Sequence, residues 1–201
     1  MTLPGLSNKF TPQPTLDNLT NSSRLRQLGV LMDITDLILN DHHEQRRLFA
    51  YLDEIEQTNT AALGAVWGRL KILLDVHAAA EEALFYPQLL KIGTGGGGES
   101  SAASETKDVI KDHNEIRDAA AEVGQHDVGS DAWRQAVVNT REANGDHMAE
   151  EERQDLADFR QHASLQLRHD IAVSFATFEA HHAAGIDAQD KDPESYVNDR
   201  S

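Results

Sequence analysis

Cysteine is absent from this chain of 201 residues. That excludes disulfide frameworks, thiolate zinc sites, iron–sulfur clusters and cysteine nucleophiles. No apolar run approaches the roughly 18 residues of a membrane span. Residues 1–21 are polar, are broken by Pro4, Pro12 and Pro14, and lack the basic start and apolar stretch of a secretion signal. A cytoplasmic protein is the expectation. Aromatics make up only 5% of the chain, and alternating runs rich in valine and isoleucine are missing, which argues against strands. Basic charge is also scarce: 18 Lys and Arg face 34 Asp and Glu, a net charge of −16. Such a surface repels phosphates, so neither nucleic acid nor an anionic membrane is an expected partner.

Helix formers dominate what remains, and an all-α class follows. Residues 1–22 read as an extended arm, with Leu25, Leu28 and Leu31 docking it or starting a short helix. Ile34, Leu37, Ile38, Phe49, Leu52 and Ile55 recur at helical steps, predicting a first helix over about 33–57. His42 falls in that apolar stripe, and His43 flanks it. A second helix is predicted over about 60–90, with a kink or stop near Tyr86 because Pro87 follows. The glycine run over 93–98 reads as a flexible linker. A third helix is expected from Ser104 to about Val123, a fourth from an Asp131 cap to about His162, and a fifth over 165–184. Residues 187–201 read as a polar tail.

The ten histidines are unusually placed. His77 and Glu81 stand four residues apart, and a step of four turns an α-helix by roughly 400° while lifting it about 6 Å. Both side chains then share one face. His147 and Glu151 repeat the arrangement. Upstream of each pair, Asp41-His42-His43-Glu44-Gln45-Arg46 matches Asp112-His113-Asn114-Glu115-Ile116-Arg117 as Asp-His-x-Glu-x-Arg. The distance from His42 to His77 is 35 residues, and from His113 to His147 it is 34. Two helix pairs would thus each supply one lone histidine and one His–Glu pair to the interior of a pseudo-symmetric four-helix bundle.

Six groups converge in this reading: His42, His77, Glu81, His113, His147 and Glu151. Imidazoles and carboxylates suit iron above all, with manganese or zinc also possible. Six ligands exceed the needs of one tetrahedral zinc. They suit two metals, each with two histidines, joined by the glutamates and by an oxo, hydroxo or water bridge. Gln45 and Asn144 either line the pocket or face away from it. Glu82 and Glu152 either orient the histidines or form surface pairs. Tyr51 and Tyr86 either supply a phenolate to the site or pack in the core or an interface; each lies nine residues from the histidine of its own helix, about 180° round, so packing is the expectation for both. His181 and His182 lack a carboxylate at helical spacing and are expected to be exposed.

These four motifs, in this order, resemble the HHE cation-binding, hemerythrin-like proteins. The residues that carry the resemblance are Asp41-His42 before Arg46-Arg47-Leu48-Phe49, His77 to Glu82 before Phe85-Tyr86-Pro87, His113 to Arg117, and His147 to Glu152. The resemblance spans about 33–160. It implies a four-helix bundle over 33–164, preceded by the arm (1–32) and followed by an accessory helix and tail (165–201). It also implies a non-haem centre of two iron ions, with Glu81 and Glu151 bridging and the four histidines terminal. Oxygen-carrying hemerythrins have a fifth histidine one turn after the lone histidine of the third helix, where this chain has Arg117. Their last carboxylate is an aspartate five residues after its histidine, where this chain has Glu151 after four. The expected chemistry therefore moves from oxygen carriage towards small oxidants, as in a bacterial subgroup linked to peroxide breakdown and nitric oxide handling. The partners implied are hydrogen peroxide, nitric oxide and oxygen, met by a monomer. Reversible binding or sensing of oxygen or nitric oxide is the alternative.

Overall fold

Asp33 opens the first helix of the computed structural model by accepting a hydrogen bond from the Thr35 backbone N–H at 3.1 Å. The structure describes residues 31–98 and 100–200. The arm expected over 1–32 lies outside them except for its last two residues. Helix α1 runs Ile34–Glu54 and buries Ile34, Ile38, His42, Gln45, Phe49 and Leu52, one helical stripe. Helix α2, Thr60–Ala80, starts at an Asn59 cap and buries Leu63, Trp67, Leu70, Leu74 and His77.

The second helix continues past Ala80 in a different form. Glu81–Phe85 is a widened π-helical turn, in which the Tyr86 N–H reaches back five residues to the Glu81 carbonyl. Helix α3, Tyr86–Ile92, follows at once with Pro87 in its first turn, where the proline gives no N–H to the turn before it. The kink expected at Pro87 is thus a change of helical pitch just before it.

The glycine run is no free linker. The N–H groups of Thr94 and Gly95 donate to Asp158 Oδ2 at 2.8 and 3.1 Å, and that of Gly96 to Glu105 Oε1 at 3.2 Å. Gly97 adopts φ +57°, and a Cβ there would meet the Gln154 side chain at 2.3 Å. The glycines let the backbone bend tightly onto two carboxylates.

Helix α4, Ala102–Val123, is capped by Ser101, and α5, Asp131–Arg153, by Ser130, so both caps precede the expected ones. The expected single fourth helix breaks at Gln154, and α6 resumes over Asp155–His162. Helix α7 covers Leu165–His181. The polar tail folds as well. Helix α8, Pro193–Asn198, buries Tyr196 and Val197 and packs on α4.

Helices α1, α2, α4 and α5 form the bundle. No strand occurs among the described residues, and the architecture is the expected all-α one. Two apolar clusters fill it. One holds Ile38, Phe85, Ile110, Phe159 and Phe175. The other holds Leu52, Leu63, Trp67, Val123 and Trp133. The four bundle histidines belong to neither cluster. No described helix is long and apolar enough to cross a membrane.

Candidate metal centre

His42, His77, Glu81, His113, His147 and Glu151 all converge in the bundle interior, each at most 3% exposed. They come from α1, α2, the π turn, α4 and α5, each at the inward position of its helix. Glu81 spans the gap: Oε1 lies 3.0 Å from His77 Nε2 and Oε2 lies 3.3 Å from His113 Nε2. Glu151 reaches the other two histidines with one oxygen, Oε2, at 3.1 Å from His42 Nε2 and 3.9 Å from His147 Nε2. Two groups of donor atoms result, His42/His77/Glu81/Glu151 and Glu81/His113/His147, each within 4.8 Å of one another. Glu81 belongs to both.

All four Nε2 atoms enter these inward contacts, and their Nδ1 atoms face carboxylates. His42 Nδ1 donates to Glu152 Oε1 at 2.9 Å, His77 Nδ1 to Asp41 Oδ2 at 3.0 Å and His113 Nδ1 to Glu82 Oε1 at 2.9 Å. His147 Nδ1 faces Asp112 Oδ2 across a longer 3.9 Å. The aspartate of each Asp-His motif serves the histidine of the following His–Glu pair. The second glutamate of each pair serves the lone histidine of the other half. Such partners fix the imidazole tautomer and leave Nε2 free to bind a metal. The sequence offered a signal for Asp41 and Asp112, their matched place before each lone histidine, but no role was read from it.

Protonation follows the crowding. Burial disfavours charge on His77, but Glu81 and Asp41 outweigh it and hold its pKa well above the ordinary value. His113 rises to about 9 in the same way, with burial opposed by Glu81 and Glu82. His147 goes the other way: burial and the neighbouring His113 push it well below.

The residues fit a cation. His42 Nε2, His77 Nε2, both Glu81 oxygens and Glu151 Oε2 are buried without an aligned hydrogen-bond partner. A buried polar atom left so costs roughly 1–3 kcal/mol, more when charged. One positive ion accepted by each group of donors would relieve all of these atoms at once.

The family described as Hemerythrin HHE cation binding domain matches residues 33–159. The chain belongs to this hemerythrin family. No curated protein and no solved structure matches the chain. The buried cluster and the family's cation-binding description together fit a metal-binding module.

Where the oxygen carriers have their fifth histidine, Arg117 turns to Glu82 and to Asn114 Oδ1, the latter at 2.9 Å. Glu82 itself is buried between His113, Arg117 and Lys191, and these hold its pKa down to about 2 against burial. Gln45 and Asn144 meet inside the bundle, with Asn144 Nδ2 donating to Gln45 Oε1 at 2.9 Å.

Tyr86 departs from the sequence reading. Its buried hydroxyl donates to Glu151 Oε1 at 2.7 Å and lies 3.0 Å from Asp155 Oδ2. In an α-helix, nine residues carry it about 180° from His77, but the π turn takes up one extra residue and rotates α3 back by roughly 100°. Tyr51 stays outside, 41% exposed, with Arg47 donating to its hydroxyl at 3.1 Å. His43 and His181 are exposed, and His182 is half-buried with Nδ1 on the Phe178 carbonyl.

A narrow recess, lined by Leu74, Ala78, Ile116, Ala120 and Asn144, reaches His113 and His147. Its free space of about 10 Å³ accommodates little more than one water.

Proposed function

We propose that this hemerythrin-like protein holds two iron ions and reacts with small oxidants, hydrogen peroxide or nitric oxide. His42, His77, His113 and His147 would be terminal ligands, with Glu81 and Glu151 joining the metals. The observation that carries this reading is Glu81, whose two oxygens face histidines of opposite halves at 3.0 and 3.3 Å. A carboxylate so placed serves two cations better than one.

Bound iron supplies Lewis acidity and one-electron chemistry. The chain supplies the rest. Asp41, Glu82 and Glu152 hold three imidazoles by Nδ1. The apolar clusters on either side exclude water. The recess beside His113 and His147 has room for about one water, so only the smallest reactants approach by this route. The Tyr86 hydroxyl holds a proton against Glu151 Oε1.

Metal analysis of iron-loaded protein should give two irons per chain with near-ultraviolet absorption. Oxygen release from peroxide should exceed that of free iron. A fully loaded centre with no turnover would overturn the redox reading, and reversible spectral change on gas exchange would favour simple binding instead. A His42→Ala/His113→Ala double variant that kept its full metal content would overturn the ligand assignment.

A further inference from the structure

The two halves of the site also differ in how the outer glutamates are held. Glu152, which bonds His42, has a side chain 29% exposed and one cationic partner, Arg46, at 2.7 Å. Glu82, which bonds His113, has a side chain 1% exposed and two, Arg117 and Lys191. Lys191 comes from the segment after α7, far outside the repeat.

That segment is fastened onto the bundle at several points. Asn114, next to His113, grips the Lys191 backbone from both sides: its Nδ2 donates to the carbonyl at 2.7 Å and its Oδ1 accepts from the N–H at 3.1 Å. The Tyr196 hydroxyl donates to the Glu82 backbone carbonyl, and Lys107 pairs with Glu194 at 2.6 Å. Lys191 is therefore delivered to one oxygen of Glu82 while His113 and Arg117 hold the other.

We propose that Lys191 is a positioning residue for one half of the centre. Through Glu82 it fixes the His113 imidazole, so the C-terminal segment sets the metal affinity of the His113/His147 group and leaves the His42/His77 group untouched. This rests on the metal reading above. A buried carboxylate with four acceptor positions needs more donors than His113 and Arg117 present. Lys191 fills that need and pins the carboxylate plane. Removing the direct outer partner of a ligand histidine, here Glu82, lowers metal affinity by about 10–100-fold; Lys191 stands one contact further out, so its removal falls at the lower end, about 10-fold or less.

The experiment is an anaerobic Co(II) titration of the full-length apo-protein, read by absorption and calorimetry. Wild type should take up two ions. Lys191→Met should weaken one step by up to about 10-fold and leave the other within about twofold. Lys191→Arg should restore most of the loss, which a purely structural contact would not require. Asn114→Ala, which frees the Lys191 backbone but keeps its charge, should produce a smaller shift in the same step. Two steps unchanged in Lys191→Met would overturn the proposal alone. So would an equal weakening of both steps, which marks general loosening of the fold. Wild type that takes up no Co(II) would overturn the metal reading, and this proposal with it.

Discussion

Tyr86 and Glu151 meet through a buried hydrogen bond of 2.7 Å, although 65 residues separate them. The contact gives the two oxygens of Glu151 different tasks. Oε2 faces His42 and His147, while Oε1 is held by a phenol. Glu81 has no such partner and turns both oxygens to histidines. The two bridging-position carboxylates of the centre are therefore held differently.

Tyr86→Phe should destabilise the apo-protein. Glu151 Oε1 and Asp155 Oδ2 both lose their shared donor in a buried place, and such a loss costs about 1–3 kcal/mol. Burial, with Glu151 and Asp155 nearby, holds the Tyr86 pKa well above that of a free phenol, so the hydroxyl keeps its proton throughout the neutral range. Urea denaturation of wild type and variant checks the loss, and equal midpoints would show that the bond contributes nothing.

The histidines and their paired glutamates were legible because α-helical geometry ties sequence spacing rigidly to direction. His77 near the end of α2 and Glu81 at the first residue of the π turn, where the backbone is still α-helical, are fixed relative to each other by four residues whatever surrounds them. Tyr86 was not legible, because its direction depends on the π turn, and no simple periodicity announces a change of pitch. Glu82 stood open between two uses for a different reason. Its partners, Arg117 and Lys191, come from elements whose docking spacing cannot reveal. The glycine run read as a linker because the acceptors that tie it down, Asp158 and Glu105, lie on other helices.

Glu179 gives a pH-dependent prediction. Burial, then the charge and hydrogen bond of Asp41, raise its pKa from 4.5 to about 8. The folded protein keeps this proton in a range where the unfolded chain has released it. Stability from this group therefore falls as pH rises between 4.5 and about 8. Glu179→Gln removes the titration. Its apo-protein should gain stability over wild type at pH about 8 and differ little at pH about 5. Denaturation midpoints at the two pH values check this, and a parallel offset at both would refute it.

Trp133 tests the far end of the bundle. It is 2% exposed and packs edge-on against Trp67, with ring centres 6.3 Å apart. Trp133→Ala should cost about 3–5 kcal/mol, as large cavities in cores do. Metal content per folded molecule should not change, because Trp133 belongs to the apolar cluster and touches none of the six site residues. A fall in metal uptake by the folded fraction would mean that the two regions are coupled.

Glu81 and His42 separate the roles within the centre. His42 belongs to one group of donor atoms, whereas Glu81 belongs to both. Truncating His42 to alanine removes one ligand from the His42/His77 side and leaves His113, His147 and Glu81 in place. One of two metal steps should then weaken strongly while the other survives. Glu81→Gln keeps the size and removes the charge, so neither half retains an anionic oxygen from this position. Both steps should weaken together, and metal content should fall further than in His42→Ala. Metal analysis after dialysis against a weak chelator gives the comparison. If Glu81→Gln kept one ion as tightly as wild type, Glu81 would serve a single metal, and the shared position between His77 and His113 would have no bridging role.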